Sequence, residues 1–233
     1  MTTANGDRRG EQRGGDDPVA LFGELDIYLL DQLLRGRIRP GMKLFDAGAG
    51  GGRNAEYFLR AGYDVAGVDA DAESVEHLRR RAAELAPATE IDTWRRRFRV
   101  AALETFDGAN EHADVVVCNA VLHFARDEAH FDAMLRGCWS ALRPGGMFFA
   151  RLASNIGIES LVRPLGNGRF ALPDGSQRFL VDLPKLLAAT HELGGELLDP
   201  IKTTNVQNLR AMTTWVVRRR PDSQSRERSA HAS

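Results

Sequence analysis

Apolar residues recur along this chain at two alternating spacings. Steps of three and four link Leu21, Leu25, Tyr28, Leu29 and Leu33, then Ala55, Phe58 and Leu59. The same steps link Val75, Leu78, Ala82 and Leu85, and later Phe131, Met134, Leu135, Cys138 and Leu142. Each set lines one face of an α-helix. Another helix is predicted from Leu183 to Leu193, stopped by Gly194-Gly195, and Asp71 and Asp127 stand where N-caps belong. Between the stripes lie short apolar runs that read as strands: Lys43–Ala47, Asp64–Val68, Phe98–Ala102, Ala113–Asn119 and Met147–Leu152. Two weaker strands are expected near Glu196–Ile201 and Thr213–Arg218. Val115-Val116-Val117 is apolar without alternation, as a strand covered on both faces should be. Strand and helix in this alternation predict an α/β fold, an open and mostly parallel seven-stranded sheet with helices on both faces.

The pattern places one domain over residues 18–220, with a lid-like insertion at 155–181. The flanks 1–17 and 221–233 are polar and read as disordered tails; the first has no apolar core of a targeting peptide. Of the 233 residues, 43% are apolar and 27% charged, which suits an ordinary globular core. A net charge of -1 argues against a protein devoted to neutralising phosphates. Cys118 and Cys138 have neither CxxC spacing nor polar surroundings, so neither a disulfide framework nor a metal site is expected. With no apolar run of membrane-spanning length, the expected location is cytoplasmic, without a membrane partner, and the chain is expected to be a monomer or homodimer.

The chemistry concentrates in Asp46-Ala47-Gly48-Ala49-Gly50-Gly51-Gly52-Arg53-Asn54, a glycine-rich turn between a strand and a helix predicted to open at about Arg53. No Gly-Lys-Ser/Thr ending follows, which excludes a P-loop. The third small residue of a dinucleotide fingerprint is replaced by Arg53. Asp46 would repel a pyrophosphate and attract an ammonium or a sulfonium. The loop therefore suits a cationic ligand. Asp69, at the end of the second strand, stands where nucleoside-binding α/β folds hold ribose hydroxyls.

Asp46-x-Gly48-x-Gly50-x-Gly52, with the acid after the second strand, resembles the class I S-adenosylmethionine-dependent methyltransferases, whose sheet is Rossmann-like. The likeness runs from about Asp26 to Gly146 and includes Asp114 to Phe124 and Leu142-Arg143-Pro144-Gly145-Gly146. The Gly52-Arg53-Asn54 wording is similar to the tellurite-resistance type of small-molecule methyltransferase. The resemblance implies S-adenosylmethionine as cofactor. It implies Asp46, Gly48, Ala49, Gly50, Arg53 and Asn54 along its methionine side, with Asp69 and Ala70 at the ribose. Ala102 and Leu103 would flank the adenine, and Asn119 would line the end of the fourth strand. Many relatives carry an acid after the third strand; here Ala101-Ala102-Leu103-Glu104 leaves either Glu104 or main chain to read the base.

The implied activity is methyl transfer to a small-molecule acceptor. His123 is the candidate general base, or a rim histidine with no chemistry. Tyr28, His123, Arg169 and Arg178 are the candidate acceptor contacts, the two arginines from the insertion, where Glu159 or Asp174 offers them a duller pairing. The alternatives are a nucleic-acid or protein methyltransferase, or a non-catalytic cofactor-binding regulator. Nucleic acid is disfavoured because Asn119 is followed by Ala120-Val121-Leu122, and Cys118 follows Val117, not a proline. Arg95-Arg96-Arg97 reads as a solvated face, with a nucleic-acid patch as its competitor; Trp94 beside it lies in a polar stretch.

Overall fold

The computed structural model describes residues 17–221, so the expected tails lie almost wholly outside it. Two short helices come first, α1 (Pro18–Phe22) and α2 (Ile27–Leu34). The expected single stripe from Leu21 to Leu33 is thus broken: Gly23 ends α1, and Asp26 caps α2 by accepting from the Tyr28 N–H. The central alternation follows as β1 (Lys43–Ala47), α3 (Ala55–Arg60), β2 (Asp64–Asp69), α4 (Ala72–Leu85), α5 (Ile91–Arg97) and β3 (Phe98–Val100). Then come β4 (Ala113–Asn119), α6 (Glu128–Ser140) and β5 (Leu142–Ser154). Asp71 and Asp127 cap α4 and α6 as expected, accepting from the Ser74 and His130 N–H groups.

The insertion is a separate antiparallel sheet of β6 (Arg163–Gly166), β7 (Arg169–Ala171) and β8 (Gln177–Phe179). After α7 (Leu183–Glu192), the chain ends in β9 (Gly195–Leu197), β10 (Lys202–Val206) and β11 (Arg210–Arg219). The main sheet runs β10-β11-β5-β4-β1-β2-β3, and the short β9 pairs on β11 as an eighth strand, one more than expected. β1 to β5 are parallel; β11 runs antiparallel to β5 from Ala211–Ser154 to Arg218–Met147.

Two apolar layers account for the unbroken strand runs. Phe45, Val116, Cys118, Phe148 and Ala150 face one way, onto Phe131, Leu135, Cys138 and Leu186 of α6 and α7. Leu44, Val115, Val117 and Phe149 face the other, onto Leu29, Phe58, Val75 and Leu78. Trp94, expected in a polar stretch, is buried in this second layer and stacks on Phe98 at 6.0 Å. α5 was invisible to the periodicity because that tryptophan is its one buried residue. Its arginines are locally engaged: Arg95 with Asp92 at 2.8 Å and Arg97 with Asp64 at 3.0 Å. That is the solvated-face reading. Both cysteines are free and buried; the Cys138 thiol and then burial push the Cys118 pKa well up. No helix among the described residues is long and apolar enough to cross a membrane.

Phe148 is fully buried and meets Trp139 and Trp215 edge-on at 6.1 and 5.5 Å. Its truncation to alanine should cost about 3–5 kcal/mol of unfolding free energy. Denaturant melts of the purified Phe148→Ala variant check this.

Candidate active site

The strand order reverses between β1 and β4, so their carboxyl ends diverge and leave a crevice. The glycine-rich turn fills one wall of it. Gly48 and Ala49 both donate their N–H groups to the Val68 carbonyl at 2.9 Å, and Gly50 donates to Asp69 Oδ2 at 2.8 Å. Gly48 has φ +83°, and a Cβ there would meet Val121 Cγ2 at 2.5 Å; at Gly52 (φ +91°) it would meet Leu78 Cδ1 at 2.4 Å. These two glycines are required by packing. Gly50 is open on its Cβ side, so a ligand can reach its main chain. α3 starts at Ala55, slightly later than expected.

Gly48 to Gly51, Arg53, Asn54, Asp69, Asn119, Ala120, Val121 and Phe124 line this crevice. Most of the expected cofactor positions are therefore brought together. Asp46 lies beneath the loop, buried, with no hydrogen bond from its carboxylate among the described residues. Burial, then the charge of Asp69, push its pKa up to about 7 against the opposing pull of Arg53. Asp69 is also structural, since its Oδ1 accepts from the Asp71 N–H at 2.9 Å. Those two bonds leave lone pairs on both oxygens for ligand hydroxyls.

The adenine end is less complete. Ala70 is exposed, Ala102 half-buried and Leu103 buried, and none of the three lines the crevice. Glu104 is engaged elsewhere, 3.1 Å from His130 Nε2 and 3.7 Å from Arg126, so it does not reach in as one expectation had it. Phe124, largely exposed at the crevice mouth, is a lining residue the sequence did not flag.

A second cavity of about 260 Å³ adjoins the first and shares Arg53, Asn119 and Ala120 with it. Ala120 adopts φ +64°, a strained conformation for a residue with a side chain, at the junction of the two. The remaining wall comes from His123, Arg151, Ala153, Leu172, Asp174, Ser176, Arg178, Val206, Arg210 and Met212. Of the expected acceptor contacts, His123 and Arg178 are here. Arg169 is not: it donates to the Ala125 and Gln177 carbonyls at 3.0 and 3.4 Å and pins β7 in place. Tyr28 is not in the wall either; its ring lies 4.9 Å under the Arg151 guanidinium and its hydroxyl bonds Thr204 at 2.5 Å.

Arg151 was missed, although a lone cation in the apolar run Met147–Leu152 was a visible signal. Its Nη1 donates to buried Asp26 at 2.7 Å, while Asn54 Oδ1 accepts from the Asp26 N–H at 3.1 Å. Asp26 thereby ties α2, the loop and β5 together. Arg210 follows the β10–β11 turn and carried no signal. His123 accepts a hydrogen bond from the Ala153 N–H on Nδ1 at 3.2 Å, and burial, then Arg178 and Arg210, push its pKa down to about 4.

Residues 44–146 match the family model described as "Methyltransferase domain". With the sheet and the glycine loop, that match makes residues 44–146 similar to methyltransferase domains, in line with the class I resemblance of the sequence. One relative, the ubiquinone biosynthesis O-methyltransferase of Methylocella silvestris, is 32% identical over 127 residues, 53% of this chain and 46% of that protein. The chain thus matches about half the length of that relative. A SAM-dependent methyltransferase from Methanosarcina mazei shares the fold with TM-score 0.62 at 15% identity, covering 82% of this chain and 98% of that one. The Burkholderia thailandensis 1,6-didemethyltoxoflavin-N1-methyltransferase, crystallised with bound 1,6-didemethyltoxoflavin and S-adenosylhomocysteine, gives TM-score 0.58 at 20% identity over 82% and 76% of the two chains. The relatives named here give no support to the narrower tellurite-resistance branch.

The buried Asp46 sets a stability test. A carboxylate raised to about 7 in the fold favours the folded state fully below its ordinary pKa, and that contribution is lost as pH rises to 7. Asp46→Asn removes the titration. The variant's stability relative to the parent should therefore climb by about 1.4 kcal/mol per pH unit between about pH 4 and 7. Paired denaturant melts at pH 4.5 and 6.5 measure the slope.

Proposed function

We propose that this chain transfers the methyl group of S-adenosylmethionine to a small-molecule acceptor held in the second cavity. The observation that carries the reading is the shared wall of Arg53, Asn119 and Ala120, which sets a small cavity directly against the cofactor crevice. The residues fit the cofactor. Asp46 is a buried carboxyl that a cationic ligand would favour in its ionised form, Gly50 opens its main chain, and the Asn119 Nδ2 is buried without a hydrogen bond among the described residues. Bound there, the cofactor supplies a methyl made electrophilic by its sulfonium.

The chain's residues divide the remaining work. Asp69 receives the ribose hydroxyls while holding Gly50, and Gly48 to Gly50 follow the methionine portion. Ala120 and Asn119 bring the acceptor up to the methyl, and the sheet of β6, β7 and β8 acts as the lid that excludes water. Methylation at oxygen is the chemistry that the name of the Methylocella silvestris relative supports. Its acceptor does not carry over, because Leu172, Asp174, Arg178 and Arg210 lie outside the matched residues 44–146. A sensor that binds the cofactor without turnover would share the crevice but has no use for the adjoining cavity.

Calorimetry should show saturable S-adenosylhomocysteine binding and none of NADH, and labelled methyl should pass from S-adenosylmethionine to a metabolite in an extract. Binding without any transfer would favour the sensor. Asp69→Ala should lose roughly 2–4 kcal/mol of S-adenosylhomocysteine affinity, since it removes a charge-assisted contact and unpins Gly50, while circular dichroism stays that of a folded chain.

A further inference from the structure

The second cavity is lopsided in charge. Its wall carries Arg53, Arg151, Arg178 and Arg210 against one acid, Asp174. Arg151 is answered by Asp26 at 2.7 Å; among the described residues, no carboxylate lies within 4.0 Å of the other three guanidiniums. Asp174 is occupied in its own turn, accepting from Ser176 N–H and Oγ at 2.9 and 2.6 Å. Guanidiniums are planar donors that suit a carboxylate or similar oxyanion. The rest of the wall, Ala153, Leu172, Val206 and Met212, is apolar. An inorganic ion would leave that surface unused.

The histidine points the same way. Its Nδ1 lone pair is taken by the Ala153 N–H, so a neutral ring must carry its proton on Nε2. Nε2 has no partner among the described residues, and in this tautomer it offers the cavity an N–H. A base needs a free lone pair there, and the ring has none to give. Burial, and then the two arginines beside it, disfavour a second proton, which keeps the ring neutral.

We propose that the acceptor is a small organic oxyanion of the carboxylate class, clamped by Arg178 and Arg210 and hydrogen-bonded by His123 Nε2–H, with His123 a donor and not the general base expected from sequence. This rests on the methyl-transfer reading. Such an acceptor needs no base. The ionised oxygen forms the bond to the methyl carbon with its own electron pair, and the carbon–sulfur pair returns to sulfur. The two opposite charges cancel, and no proton leaves.

Benzoate and its neutral counterpart benzamide are the probes, titrated by calorimetry into the full-length protein with and without saturating S-adenosylhomocysteine. Benzoate should bind at least about tenfold more tightly than benzamide. Arg178→Gln and Arg210→Gln should each weaken benzoate by about tenfold, and His123→Phe severalfold, with S-adenosylhomocysteine affinity held within about twofold. No benzoate binding, equal binding of the two probes, or benzoate binding untouched by the arginine variants would overturn the proposal. Loss of S-adenosylhomocysteine binding in the parent protein would instead strike the methyl-transfer reading, while the benzoate arm on the unliganded protein is read separately.

Discussion

The backbone of residues 48–54 has to leave a buried strand, reverse, and enter a helix that packs back on the same sheet. Hydrogen bonds from Gly48 and Ala49 to the Val68 carbonyl hold that reversal, and Asp69 fastens Gly50. Everything functional hangs from it. The turn aligns main chain along the crevice, and its Cβ-free positions admit Val121 and Leu78 at distances no side chain would tolerate. In the proposed function the same acid that fastens the loop faces the ligand, so fold and binding share one carboxylate. Pinning and recognition are then coupled: a ligand on Asp69 also reports on the loop.

Charge is arranged in two opposed zones across a short distance. Beneath the loop sits Asp46, an anion that burial and Asp69 make costly to ionise. Across Asn119 and Ala120 the wall turns cationic. On the reading proposed above, a positively charged cofactor lowers the cost on the first side, and a negatively charged acceptor does so on the second. Each unsatisfied group is thus a cost that a ligand of opposite sign would remove. Asp26 links the zones by neutralising Arg151 and by binding Asn54 through its main chain. It gives α2, which contributes no lining residue of its own, a share in positioning both.

The two halves of the site have different origins in the fold. The cofactor crevice belongs to the parallel part of the sheet, where divergence at the β1–β4 reversal is a consequence of topology. The acceptor cavity belongs to the additions: the sheet β6–β7–β8 and the β10–β11 hairpin. Phe179 stacks on Phe131 at 4.9 Å and anchors the small sheet over α6, while Arg169 bonds the Ala125 carbonyl. Those contacts leave Arg178, one register step away, facing the cavity.

The sequence by itself determined the parallel core and the cofactor crevice, because both are written in local signals. Val115-Val116-Val117 declares a strand covered twice, Asp71 and Asp127 mark helix starts, and Asp46, Gly48, Gly50 and Asp69 carry the loop. Each depends on neighbours a few residues away. Trp94 shows the limit: one buried side chain in a charged helix makes no period, so α5 was missed. Only the tertiary structure decided the acceptor side. Arg151, Arg178 and Arg210 come from separate strands, and their convergence depends on how the hairpins dock, which no spacing records. It also separated Arg178 from Arg169 and set the tautomer of a neutral His123 ring. Those outcomes rest on one hydrogen bond from Ala153 and on alternation across β7 and β8, interactions that exist only once distant segments have met.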